Sequence, residues 1–156
     1  MKIEREIGII LRRTGRTLAT AESCTGGLIA NRITNIPGSS DYFERGYVVY
    51  SNRAKIELLG VPPELLRQHG AVSEQVACAM AEGARSASGA DFSVGVTGIA
   101  GPTKDESAKP VGLVYVSVAG PDGVRVEEHH FAGNRLQVKR QSADQAFQML
   151  RELLTK

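Results

Sequence analysis

A strand-type run gives way to a helix-type run across one glycine-rich corner, Thr20-Ala21-Glu22-Ser23-Cys24-Thr25-Gly26-Gly27, and this alternation restricts the fold more than any other feature. Thr17-Leu18-Ala19-Thr20 reads as the strand, and Leu28 to Thr34, stopped by Pro37-Gly38, reads as the helix. Residues 44–51, rich in β-branched and aromatic side chains, repeat the pattern ahead of a short helix at Asn52 to Leu59. Asp91 to Val96 is a compact apolar strand that ends in a second glycine-punctuated turn, Thr97-Gly98-Ile99-Ala100-Gly101-Pro102. Strands separated by helices pair through crossovers, which makes their sheet parallel. The runs 111–119 and 123–131 flank Gly120-Pro121-Asp122-Gly123, a hairpin signal, and add an antiparallel portion. Helical spacing also marks residues 3–13, a short stretch from Pro62-Pro63 to His69, the alanine-rich stretch from Ser73 to Ala87, and the chain after Gly133-Asn134-Arg135. The expected fold is α/β: a three-layer sandwich with a mixed, mostly parallel sheet and helices on both faces.

At 156 residues and 42% hydrophobic, the sequence suits one domain spanning 1–156. The net charge of +2 comes from interspersed acids and bases with no basic block, which disfavours nucleic acid as a partner. No run reaches the ~20 apolar residues of a membrane span, so no membrane partner is expected. Cys24 and Cys78 are the only cysteines and neither has zinc-ligand spacing; a reducing cytoplasm suits this usage, and no metal is called for.

In open α/β sheets ligands gather at the C-terminal ends of the strands. The turns after Thr20, Tyr50 and Val96 are three such ends, each rich in reactive or anion-binding groups. Ser23, Cys24 and Thr25 are candidate nucleophiles, and the amides of Gly26, Gly27 and the helix start are candidate stabilisers of an oxyanion or phosphate. The plainer alternative is a helix cap and a tight turn. Tyr50 and Lys55 project over the same rim as Ser23 and are read as one coupled base with no proton assigned. Their ordinary values, near 10 and 10.4, lie roughly three units too high for that task at neutral pH. Packing for Tyr50 and solvation for Lys55 remain the alternative. Cys24 is the rival nucleophile, since a helix N-terminus lowers a thiol pKa. The three histidines do not cluster. Ser39, Thr97 with Gly98, and Arg135 at the start of the last helix are further candidate substrate contacts.

The ordered motifs Ala21-Glu22-Ser23-Cys24-Thr25-Gly26-Gly27, Pro37-Gly38-Ser39-Ser40, Tyr50-Ser51-Asn52 with Lys55, Gly70-Ala71-Val72-Ser73, Thr97-Gly98-Ile99-Ala100-Gly101-Pro102 and Lys109-Pro110-Val111-Gly112 resemble the CinA C-terminal domain family over residues 5 to 154. Enzymatic members of that family include nicotinamide-nucleotide amidases. The resemblance implies hydrolysis of the carboxamide of nicotinamide mononucleotide to nicotinate mononucleotide and ammonia, within pyridine nucleotide recycling. It implies Ser23 as nucleophile, Tyr50 and Lys55 as activating and proton-handling groups, and Arg135 as a functional arginine. No metal or organic cofactor is required, and the family often forms dimers, which implies a homo-oligomer. Thr103-Lys104-Asp105 stands where relatives often carry a glycine-richer loop. Two other functions fit the same pocket: a non-catalytic nucleotide-binding module connected with competence or DNA damage, and a serine amidase for a different small amide.

Overall fold

Strand β1, Leu18–Glu22, is buried at every residue and lies between two parallel neighbours in the computed structural model, which describes residues 1–156. The neighbours are β2, Phe43–Val48, and β3, Phe92–Gly98. Beyond β3 the direction reverses: β4, Leu113–Gly120, and β5, Gly123–His130, pair antiparallel around the turn at Pro121 and Asp122. The sheet order is β2-β1-β3-β4-β5, with two parallel and two antiparallel pairings.

Six helices cover the two faces. Helices α1, Ile3–Thr14, α2, Leu28–Thr34, and α6, Arg135–Leu154, lie over one face. There Ile7, Leu11, Ile29, Val138 and Phe147 pack on Leu18, Val94 and Val116. Helices α3, Asn52–Leu59, α4, Pro63–His69, and α5, Glu74–Ser88, cover the other, where Leu59, Val76 and Met80 meet Ala21 and Val49. No helix is long and apolar enough to cross a membrane. Side chains alternate across a strand, so Leu18, Thr20 and Glu22 face α2 while Ala19 and Ala21 face α5. That parity later decides which residues reach the chemistry.

Capping residues set the helix boundaries. Ser51 Oγ accepts from the Ala54 amide and Ser73 Oγ from the Val76 amide. Asn134 and Gln137 form a reciprocal capping box at the head of α6. The Ser51 cap also corrects the expected strand 44–51. Pairing stops at Val48 because Ser51 already commits the backbone to α3, leaving Tyr50 in the connecting turn.

Helix α5 sits unusually close to the sheet because Gly95 has no side chain. A Cβ there would lie 2.6 Å from Ser117 Oγ and 2.9 Å from the Ala77 carbonyl oxygen. Ser117 Oγ and Ser93 Oγ donate to the Ala77 and Ala81 carbonyls at 2.6 and 2.5 Å, tying helix to sheet. Gly95→Ala is therefore expected to destabilise the protein by about 2 kcal/mol, the ordinary cost of overpacking, measured by urea unfolding. An unchanged midpoint would show that α5 can retreat freely.

Candidate active site

The C-terminal ends of β1, β2 and β3 open into a cleft of about 300 Å³. Ser23 and Cys24 come from the turn after β1, Tyr50 and Lys55 from around the start of α3, Thr97 to Gly101 from the end of β3, and Arg135 from the first turn of α6. A larger hollow, about 760 Å³, lies between the hairpin turn, Ile10 and Leu153, with no nucleophile and base side by side.

Strand parity accounts for the corner. Glu22, the last residue of β1, turns under α2, and its carboxylate accepts from the Thr25 hydroxyl at 2.6 Å and the Ile29 and Ala30 amides at 2.8 and 3.0 Å. Ser23, one residue later, turns to the opposite side, where α3 brings Lys55. Lys55 Nζ lies 3.0 Å from Ser23 Oγ and donates to the carbonyls of Val49 at 2.9 Å and Tyr50 at 3.2 Å. Lys55 is only 1% exposed and has no carboxylate partner. Burial accordingly lowers its pKa from 10.5 to about 8. A neutral amine has two N–H groups, and two carbonyls receive them. Its lone pair is left facing the Ser23 hydroxyl, the arrangement required to take a proton from it.

Several expectations meet a different geometry. The Tyr50 and Lys55 head groups do not pair. The Tyr50 ring turns outward, 62% exposed, and its hydroxyl accepts from Arg135 Nη2 at 3.1 Å, while Lys55 reaches Tyr50 only through the main-chain carbonyl. The physical reason is the early start of α3, which folds Lys55 inward beneath the turn that carries the ring. Thr25 and the amides of Ile29 and Ala30 are already occupied by Glu22 and do not face the cleft, and Gly26 and Gly27 lie outside its lining. The two glycines serve the turn itself, at φ 59° and 104°. Ser39 sits in the turn before β2, next to the pairing of Leu18 with Phe43. It is thus at the opposite end of the sheet from Ser23. The Cys24 thiol is pushed up to about 12, chiefly by burial, so the low thiol pKa expected at a helix N-terminus does not develop.

Thr97, Gly98 and Arg135 do join the cleft wall. The Thr97 hydroxyl donates to the Ala71 carbonyl at 2.8 Å, and Lys109 Nζ donates to the carbonyls of His69 and Val72, so the 69–73 loop is pinned against the end of β3. Arg135 spans the mouth, donating from Nη1 to the Gly101 carbonyl at 2.7 Å and from Nη2 to Tyr50. The amide of Cys24, the residue that follows the serine in the cleft wall, makes no main-chain hydrogen bond. Sequence reasoning missed Glu22. Its signal was present: an acid at the end of a strand-type run, three residues before a threonine and ahead of a helix with no capping side chain of its own.

The CinA C-terminal domain model matches residues 1–154. A CinA-like protein of Geotalea daltonii is 52% identical over 155 residues, which cover 99% of this chain and 38% of that protein. A putative competence-damage inducible protein of Moorella thermoacetica is 53% identical over 148 residues, covering 95% of this chain and 36% of its own. The chain thus spans little more than a third of the length of these curated relatives. Among solved structures, the competence/damage inducible protein CihA from Agrobacterium tumefaciens superposes with a TM-score of 0.94 at 42% identity, covering 99% of this chain and 94% of that one. The competence damage-inducible protein A (ComA) from Klebsiella pneumoniae superposes at 0.95 with 32% identity, covering 98% and 95%.

Proposed function

The chain belongs to the CinA C-terminal domain family, and from the contact between Lys55 Nζ and Ser23 Oγ we propose that it is a serine amidase acting on the carboxamide of a nicotinamide nucleotide. Amide hydrolysis needs a nucleophile, a group that carries its proton to the departing nitrogen, and donors for the oxyanion. Ser23 Oγ attacks the amide carbon as its proton passes to neutral Lys55. The oxyanion accepts from the Cys24 amide, which makes no main-chain hydrogen bond. Protonated Lys55 then gives its proton to the nitrogen, the C–N bond breaks, and ammonia leaves an acyl ester on Ser23. Lys55 next takes a proton from water, the hydroxide attacks the ester, and the proton returns to Ser23 Oγ as the carboxylic acid departs, which then loses its own proton to water. Each step needs Lys55 to gain and lose one proton, a task suited to an amine whose pKa burial has brought down to about 8. The route uses no imidazole. Arg135 holds the Tyr50 hydroxyl and Gly101 together at the mouth and is a functional group of the binding site in this reading.

The test is ammonia release from nicotinamide mononucleotide by the purified protein, followed across pH. Turnover is expected, with kcat/KM rising through about pH 8 as Lys55 loses its proton. No ammonia above the protein-free blank would overturn the amidase reading and favour a nucleotide-binding module. Equal rates with free nicotinamide would point instead to an amidase indifferent to the nucleotide.

A further inference from the structure

The cleft wall carries four charged side chains: Lys55, Lys104, Asp105 and Arg135. Three have work within the chain. Lys55 is bound to Ser23 and two carbonyls, Arg135 to Gly101 and Tyr50, and one Asp105 oxygen accepts from the Ser107 amide at 2.8 Å and from the Ser107 hydroxyl. Of the four, Lys104 alone has no hydrogen-bond or ion-pair partner. It stands in the segment Thr103-Lys104-Asp105, which follows the turn at Gly101 and Pro102 along the cleft wall. Lys139 is also without a partner and its Nζ stands against the Gly26 turn, but neither it nor Arg140 lines the cleft. Lys139 and Arg140 line a separate groove with Leu28, Arg32, Leu136 and Asp144, where Arg32 is already bound to Glu4 and Asp144.

We propose that Lys104 is a specificity residue that receives the phosphate of the substrate at the cleft mouth, so that the enzyme selects a phosphorylated amide over its dephosphorylated form. This rests on the amidase reading for the identity of the substrate, though not for the anion contact itself. With the amide held over Ser23, the far end of a mononucleotide extends towards the mouth. A flexible ammonium with free donors there meets a dianion without breaking any existing bond. The helix-terminal amides at α2 are unable to serve, because the Glu22 carboxylate already fills them.

The experiment compares kcat/KM for nicotinamide mononucleotide and nicotinamide riboside in the wild type, Lys104→Ala, Lys104→Arg and Lys104→Glu. The preference for the phosphorylated substrate should fall about tenfold in Lys104→Ala, the scale of one charge-assisted hydrogen bond. It should survive in Lys104→Arg and fall further in Lys104→Glu. A preference unchanged within about twofold in Lys104→Ala, or a proportional fall for both substrates, would overturn the assignment. Calorimetric binding of nicotinate mononucleotide separates this inference from the amidase reading. Weaker binding to Lys104→Ala supports the phosphate contact even if no ammonia ever forms. Binding equal to wild type in a protein that does release ammonia rejects Lys104 while leaving the amidase intact, and no binding to the wild type rejects both.

Discussion

Ser23→Ala is expected to lower amide turnover by at least about 10³-fold while leaving the fold intact, since the hydroxyl is the atom that forms the acyl bond. Cys24→Ala is expected to stay within about tenfold of wild type in activity. The thiol is pushed up to about 12 by burial and packs in the core beneath α2, so its loss costs about 1 kcal/mol of packing rather than a nucleophile. Ammonia release under saturating substrate, with unfolding midpoints for both variants, separates the two residues. An active Ser23→Ala protein and a dead Cys24→Ala protein would transfer the covalent step to the thiol. The two neighbours lie at one turn, yet Ser23 alone has a proton acceptor 3.0 Å away.

Lys55→Met carries the second large effect, and it is read in two ways. Turnover should fall by about 10³-fold or more, because no other amine contacts the serine. Stability should respond to pH with a definite sign. The folded pKa, about 8, lies below the ordinary 10.5, so below pH 8 both states hold the proton and the burial penalty on the charged amine is complete. Between these values the unfolded chain binds more protons than the folded one, and the wild type gains stability as the pH rises. Relative to Lys55→Met, which lacks the group, that gain totals about 3 kcal/mol by pH 10.5. Urea unfolding of both proteins at pH 7, 9 and 10.5 measures it, and a difference that stays flat would show that Lys55 titrates alike in both states.

Most of the architecture was legible because local signals agreed with the tertiary solution. Ser73 and Asn134 cap the helices that their sequence positions announce, and the hairpin at Pro121 and Asp122 lies where the glycines bracket it. The strand order was not legible, since pairing between β1 and β3 depends on contacts more than seventy residues apart. In the cleft, the placement of Ser23 and Lys55 on one rim followed from strand ends. The partnership of Tyr50 did not, because a single turn of backbone between Val48 and Asn52 decides whether the ring points in or out. Ser39 misled for a simpler reason. A serine after Pro37-Gly38 has the chemistry of a ligand contact wherever it stands, and only the register of β1 against β2 reveals that it stands at the far rim. Lys55 was readable as a candidate but its burial was not, and it is the burial that shifts the amine towards neutrality.

The Glu22 carboxylate under α2 has a consequence for the timing of the reaction. It supplies the negative charge that the start of this helix would otherwise draw from solvent or from a bound ligand, and it does so from within the same turn that carries the serine. The reactive bend is consequently preorganised before any molecule arrives. Its ordering entropy is spent during folding, and the encounter with substrate need only align the amide with a serine already in position.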